Sequence, residues 1–453
     1  MNWSPPVWSS AKAGVKVTGL ATVMVVGSAT AAFAAFAGSV VGGPMSVATA
    51  TLTAPTGLGA SNPCTSATTL SSSLAWTASS ATATSGYSVL RATSSTGPFS
   101  SVGTVSGINT TAYTDTITHP TAADSLYVAV KSTNGMDVVS MGTNTKTGNS
   151  GGPNLKSQTA IAVTPDGTTA YLANSGGNTV TPVTLSSNTA GTSITVGSKP
   201  PAGLAVTPDG GTVWVADGTG NAVTPITVAT NTAGSQKSIG FTATAIAITP
   251  DGSTAWIAGQ SSVESLNLST LTLGATYSQT GASFQAIAIS PGGTTAYLVD
   301  ASGAKKVWPL TLATGTFGTG ITLSFAPQAI ALSPDGTTAW VDGQTGIVPI
   351  TLSTLTVGTV VSVSGANFQG LAISPNGCWV YGADSSGSNR VVPVNAKTDL
   401  AGTSITVDTS PEDIATAYPP ATYYYEVEGT RNLWTSPASG QASLTFGQPT
   451  HSS

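Results

Sequence analysis

One alternation of apolar and polar positions returns six times along this chain. An apolar strand, a Pro-Asp-Gly turn and a second strand carrying one aromatic read AIAVTPDGTTAYLAN (160–174), GLAVTPDGGTVWVAD (203–217) and AIAITPDGSTAWIAG (245–259). The same frame follows as AIAISPGGTTAYLVD (286–300), AIALSPDGTTAWVDG (329–343) and GLAISPNGCWVYGAD (370–384). Ile161, Leu204, Ile246, Ile287, Ile330 and Leu371 are equivalent, at steps of 43, 42, 41, 43 and 41. A period near 40 residues is the mark of a repeat architecture. Each unit continues into a third strand (VTPVTL, VTPITV, VWPLTL) and a Thr-rich fourth. Four strands per unit are the proportions of a β-propeller blade. Large residues on one side of the first strand (Ile161, Val163) and Ala162 on the other suit sheets packed on both faces.

The ends of the array complement each other. SLYVAVKSTNGMDVVSMGTNTKTG (125–148) aligns with the later strands of a unit but lacks a first strand. Ile414, in PEDIATAYPP, stands 43 residues beyond Leu371, in first-strand phase, with no repeat after it. Joined, the two ends make a seventh unit, and shared closure removes exposed edges.

Outside the array, Tyr424, Glu426 and Glu428 alternate with Tyr423, Tyr425 and Val427, the pattern of a half-buried strand. A turn over Trp434–Ser439 and a last strand follow. Two strands alone are marginal in water, so their sheet must be encoded elsewhere. Segment 52–118 supplies it. Ala54-Pro55-Thr56, Leu74-Ala75-Trp76, Gly86-Tyr87-Ser88-Val89 and Tyr113-Thr114-Asp115, read on into Tyr423–Val427, resemble one fibronectin type III domain. The combined length is close to the roughly 100 residues of an Ig-like sandwich. The expected fold class is therefore all-β: a seven-bladed β-propeller inserted into a fibronectin type III sandwich. The expected plan is a signal peptide or membrane anchor over 1–45, sandwich strands A–E over 52–118 and the propeller over 119–420. Sandwich strands F–G over 421–447 and a tail over 448–453 complete it. Insertion is tolerable because a propeller's ends meet and loop length costs only logarithmically.

Composition narrows the partners. Charged residues make up 7% of the chain, against roughly 25% in ordinary globular proteins. The net charge of −5, with Lys305-Lys306 the longest basic run, excludes a phosphate-binding footprint. Cys64 and Cys378 exclude a disulfide-rich scaffold and a zinc cluster. A bridge between them and two small apolar thiols are both open readings. Lys12 and Lys16 precede an uncharged run over residues 17–41, which fits an export signal or, uncleaved, a membrane anchor. On either reading the remainder is extracellular, secreted or anchored at the cell surface.

The motifs TPDGTTAYLANSGGNTVTPV and TPDGGTVWVADGTGNAVTPI resemble the YVTN-type repeats of bacterial β-propellers, related in shape to NHL and lactonase-like propellers. The resemblance covers about 125–418 and implies a fold more than an activity. Enzymatic relatives use His, Glu or Arg around a metal or at the channel mouth. Here the histidines are His119 and His451, one at the domain junction and one in the tail. The resemblance thus implies a propeller without that chemistry. The expectation is a non-enzymatic display, adhesion or binding module for a protein or cell-wall glycan. It needs no cofactor or metal, takes no nucleic acid and meets a membrane only through an uncleaved N-terminal segment. A lactonase- or lyase-like enzyme and a structural surface-layer component are the alternatives.

Individual candidates carry little chemistry. Gly148-Asn149-Ser150-Gly151-Gly152-Pro153 looks like a serine-protease nucleophile motif but lacks a positioned base and reads as a Gly-rich turn between strands. Asn174, Asp217, Asp300 and Asp384, and Asp166, Asp209, Asp251 and Asp335, recur at turn positions and read as local caps. Tyr127, Tyr171, Trp214, Trp256, Tyr297, Trp340 and Tyr381 share one phase and read as core between sheets. No catalytic, cofactor or metal residue is assigned. Lys305, Lys306 and Trp308, which break the pattern of their unit, and Arg390, the one arginine in the array, are the candidates for a binding rim.

Overall fold

The structure, a computed structural model, describes residues 23–27, 30–34, 49–62, 64, 70–81, 84–117, 125–132, 135–416, 421–431, 434–446 and 451–452. Nearly all of it is antiparallel β-structure; among the described residues helix is confined to one 3-10 turn, Gly218–Gly220. Two compact units are present. One comprises Met1–Ala60, Ser73–Asp115 and Tyr424–Ser443; the other comprises Ser61–Ser72, Thr116–Tyr423 and Leu444–Ser453. The expected leader falls mostly outside the described residues. Within it, Val23–Gly27 and Thr30–Ala34 pair antiparallel. No helix among the described residues is long and apolar enough to cross a membrane.

In the first unit, strand Ala421–Arg431 lies between Gly86–Ala92 and Trp434–Ala438, with Ser100–Ser106 outside Gly86–Ala92. Val427 faces Val89 and Tyr425 faces Arg91 across the ladder. A three-stranded sheet, Thr56–Ser61, Leu70–Thr77 and Ala112–Ile117, is the other layer. Trp76, Tyr87, Val89, Tyr425 and Val427 are buried, and Trp76 meets Tyr87 edge-on at 5.3 Å. The alternation of YYYEVEGT thus finds its sheet. The Tyr425 hydroxyl donates to Asp115, 310 residues away in sequence, at 2.9 Å. Arg91 donates to the same carboxylate oxygen at 2.7 Å.

The second unit holds seven successive sheets. Each repeat supplies a first strand (Gln158–Val163, Gly203–Val206, Ala245–Ile248, Phe284–Ile289, Pro327–Leu332, Phe368–Ile373) and the strands that follow it. In the remaining sheet, Pro411–Thr416 is the first strand and pairs with Ser125–Val130, placing Ile414 opposite Val128. The first strands touch one another in cyclic order, and Phe368–Ile373 and Pro411–Thr416 complete the cycle. Hydrophobic clusters fill the space between consecutive sheets. The one that joins the last sheet to the first packs Leu126, Val128, Val139 and Ile414 on Ala372, Tyr381 and Val391. Tyr127, Tyr171, Trp214, Trp256, Tyr297, Trp340 and Tyr381 all lie buried in these layers. Lys146 adds a polar clasp at the closure, bonding Asp137 at 2.7 Å and Asp408 at 2.6 Å.

The fourth strand obeys a single residue of the third. Pro182, Pro225, Pro309, Pro349 and Pro393 lack the N–H that an outer neighbour would accept from. In those five sheets the outer strand is broken into two dipeptides, as in Thr189–Ala190 and Ile194–Thr195. Ser265 and Val138 replace the proline in the other two, and there Thr272–Ser278 and Thr145–Gly151 run unbroken. This corrects the reading of Gly148–Pro153 as a turn. Most of that motif lies in a strand, with Ser150 buried opposite Met136. The open question of the cysteines is also resolved: Cys64 and Cys378 form a disulfide. Cys378 sits where the Pro-Asp-Gly hairpins usually carry Thr or Ser, and Asn62 donates beside it to the Asn376 carbonyl.

Candidate functional site: the mouth of the cycle

At the start of each first strand, or one residue ahead of it, one half-exposed position lies between two buried neighbours. It is Thr159, Ala202 or Thr244 in three consecutive sheets. In the next four it is Gln285, Gln328, Gln369 and Glu412. These seven side chains, with Pro200, Pro201, Gly218 and Thr219, line a cavity of about 370 Å³. That volume lies within the roughly 300–1,000 Å³ of small-molecule sites. Because the repeat places equivalent residues around the cycle, the apolar side (Pro200, Pro201, Ala202) stands across from Gln328 and Gln369.

The polar groups are unequally committed. Thr244 Oγ1 donates to the Phe284 carbonyl at 2.7 Å, and Thr159 Oγ1 to the Pro201 carbonyl at 3.3 Å. Gln285 Nε2 reaches Ser283 Oγ at 3.4 Å. The Glu412 carboxylate lies 3.6 Å from Lys131 Nζ. Gln328 and Gln369 direct no side-chain hydrogen bond to any described residue, so each offers a free donor and a free acceptor. The mouth can therefore hydrogen-bond a ligand from four adjacent sheets and present one carboxylate to it.

Beneath this rim lies a buried polar group near the end of the second strand in several sheets. Asp300 and Asp384 are held alike. Oδ1 of Asp300 accepts from Ser283 N at 2.8 Å and Ser302 N at 2.9 Å. Oδ1 of Asp384 accepts from Asn367 N at 2.8 Å and Ser386 N at 3.0 Å. The other oxygen takes the Trp308 indole N–H at 3.1 Å in one case and Arg390 Nε at 2.8 Å in the other. Burial works to raise both pKa values, but these donors outweigh it and hold both below the ordinary carboxylate range. Asp217 occupies the same place without the amide from the preceding loop, because Pro200 stands where Ser283 and Asn367 supply it. Its Oδ1 is unpartnered. Burial, only partly offset by Thr224 and Gln236, pushes its pKa up to about 6.

The sequence-predicted rim residues divide accordingly. Trp308 and Arg390 serve the buried carboxylates, and Arg390 also bonds the Ser364 carbonyl at 3.2 Å. Lys306 lies 4.9 Å over the Trp308 ring, and Lys305 is exposed in a left-handed turn with φ 51°. None of the four lines the mouth. The aspartates of the hairpin turns cap locally, as Asp209 does for Gly211 N at 2.9 Å and Thr207 Oγ1 at 2.5 Å. His119 lies outside the described residues. His451, expected in a free tail, pairs through its backbone with Ala288 of a first strand. Sequence reasoning missed Gln285, Gln328, Gln369 and Glu412, although one signal could have found them: the polar letter just before the Ala-Ile-Ala, Gly-Leu-Ala or Asp-Ile-Ala of their first strands.

No protein-family model matches the chain, and no curated protein matches it in sequence. Among solved structures it is similar to hydrazine synthase of Kuenenia stuttgartiensis, at 18% identity and a TM-score of 0.52, over 57% of this chain and 92% of that one. It is also similar to a protein of unknown function from Desulfotomaculum acetoxidans, at 15% identity and a TM-score of 0.57, over 65% of this chain and 99% of that one. At such identities the likeness is one of fold. It corrects the expectation that the chain is not an enzyme, which rested on the fold's use as a scaffold and on scarce histidine. A structure named as an enzyme shares this architecture, so the architecture gives no ground for excluding catalysis.

Proposed function

We propose that the second unit is a seven-bladed β-propeller of the YVTN-like kind, inserted into a fibronectin type III-like sandwich, and that it binds a ligand at its axial mouth. The cyclic contacts of the seven first strands and the strand pairing of residues 421–431 with 86–92 support the architecture. The Cys64–Cys378 disulfide supports an exported, secreted or surface-held protein, because cytosolic thiols are kept reduced. Display or adhesion toward a protein or cell-wall glycan is the role that follows.

The observation that carries the binding role is the mouth itself, where Gln328 and Gln369 keep unused amides on a cavity rim. Nothing in the packing of the sheets requires polar residues there, since Ala202 serves in the equivalent place. The test is Ala202→Trp, which fills the mouth from its apolar side. Calorimetric titration of the whole protein against sugars, peptides and small ions should give a ligand whose binding is lost in this variant, with the melting temperature nearly unchanged. Binding that survives the tryptophan, or a panel without any binder, overturns the reading.

A further inference from the structure

The mouth has a chemical character that narrows its ligand, and this step rests on the binding role just proposed. Its ionisable lining is one carboxylate, Glu412, already beside Lys131 at 3.6 Å. No lysine or arginine lines the cavity, so an anion would meet no countercharge and would lose its hydration without return. A cation would meet a single carboxylate that is already neutralised. The favoured ligand is uncharged.

The remaining lining is two-sided. Pro200, Pro201 and Ala202 form an apolar wall. Across from them, three consecutive sheets present Gln285, Gln328 and Gln369, and the next presents Glu412. A primary amide offers an acceptor and a donor side by side in one plane. Vicinal hydroxyls offer the same pair, since each hydroxyl can donate and accept. A pyranose ring also has a C–H face that needs an apolar surface. A peptide would ask for a free strand edge or an apolar side-chain pocket, and the lining shows neither arc of aliphatic residues nor aromatic cage. We infer that the mouth takes a neutral saccharide, its ring against the Pro200–Pro201 wall and its hydroxyls against the amides of Gln285, Gln328 and Gln369, with Glu412 accepting from one further hydroxyl.

Four classes of probe separate the outcomes: neutral oligosaccharides (chitotriose and maltotriose), the anionic sialyllactose, the cation spermidine and a neutral tripeptide. Each is titrated against the whole protein, the Gln328→Ala/Gln369→Ala double variant and Ala202→Trp. The expected result is binding of a neutral oligosaccharide, weakened about tenfold or more in the double variant by loss of two hydrogen-bonding groups and abolished by the tryptophan. Gln328→Asn/Gln369→Asn, which keeps the amides but withdraws them, should fall between. Sialyllactose, spermidine or the peptide binding instead, and being lost in Ala202→Trp, would overturn the saccharide while leaving a binding mouth. Saccharide binding that is equally tight in the double variant would overturn the amide arc. No binding by any probe, or binding indifferent to the tryptophan, would take both readings down.

Discussion

Two sheets built from the same repeat treat the same buried carboxylate in opposite ways. Asp384 is fully buried, yet it accepts two backbone amides and one arginine, and its pKa stays low. Asp217, equally buried, has Thr224 Oγ1 at 2.6 Å and Gln236 Nε2 at 2.9 Å on one oxygen and nothing on the other. The difference begins with one backbone atom, the N–H that Pro200 cannot supply. Asp342 is a third solution. Gly343 takes the usual acidic position, and the carboxylate moves one residue earlier. There Ala329 N donates to Oδ1 at 2.7 Å and Oδ2 is left alone. Burial, reinforced by the nearby charge of Asp413, raises its pKa to about 8. A repeat can thus hold its strand pattern constant while the charge state of its core varies sheet by sheet.

The sharpest way to break the contrast is to make Asp384 resemble Asp217. Arg390→Ala removes the donor to Oδ2 and strands a buried charge. Losing one partner of such a pair costs about 3 kcal/mol or somewhat more, the largest loss expected from any of these substitutions. Chemical denaturation at neutral pH measures it. Arg390→Lys should recover part of the loss by restoring charge without the planar geometry. Equal stability of Arg390→Ala and the native protein would mean that the two amides alone suffice.

Next in size is the pH dependence set by Asp342. Its folded pKa lies above its unfolded value of 3.8, so the folded state holds the proton more tightly. The resulting stabilisation is complete below about pH 4 and is lost as the pH rises toward about 8. Asp217 adds the same trend up to about pH 6, whereas Asp300 and Asp384, with lowered values, lose their contribution only as the pH falls below the ordinary carboxylate range. Asp342→Asn keeps the acceptor for Ala329 N and removes the titration. Its stability relative to the native protein should improve by about 2 kcal/mol between pH 5 and pH 6.5, at about 1.4 kcal/mol per pH unit. Parallel stability curves for the two proteins would sink the assignment.

Much of this contrast lay beyond the sequence, for reasons that individual residues make plain. The sheets were legible because their signals are local and periodic: the step from Leu371 to Ile414 predicts a first strand that does pair beside Val128. The mouth was legible in principle, as the column Gln285, Gln328, Gln369 and Glu412, but a half-exposed polar residue in a strand has meaning only when seven first strands converge. Partners of buried acids depend on register. Trp308 and Arg390 stand out as oddities of composition, and nothing in the string says that they point at Asp300 and Asp384. Gly148–Pro153 misled because glycine suggests a turn, whereas the controlling residue was Val138 on the neighbouring strand. The Cys64–Cys378 bridge spans a sequence separation of 314, beyond any local pattern.

The smallest effect concerns the acids that are not buried. Asp209 caps its hairpin through Gly211 N and Thr207 Oγ1, and these bonds hold its pKa below the usual range. The protein contains its own control, since Gly292 replaces this aspartate in an otherwise equivalent turn. There Ser290 accepts from Thr295 N at 3.1 Å, Gly293 keeps the left-handed φ of 66° that the turn requires, and the hairpin forms without the acid. Local side-chain caps of this kind contribute about 1 kcal/mol or less at exposed positions. Asp209→Ala should therefore lower stability at pH 7 by less than Arg390→Ala does, and the loss should fade as acid protonates Asp209 in the native protein. A loss approaching that of Arg390→Ala would mean that the turn acids bear on the core as strongly as the buried ones, and the division between them would fail.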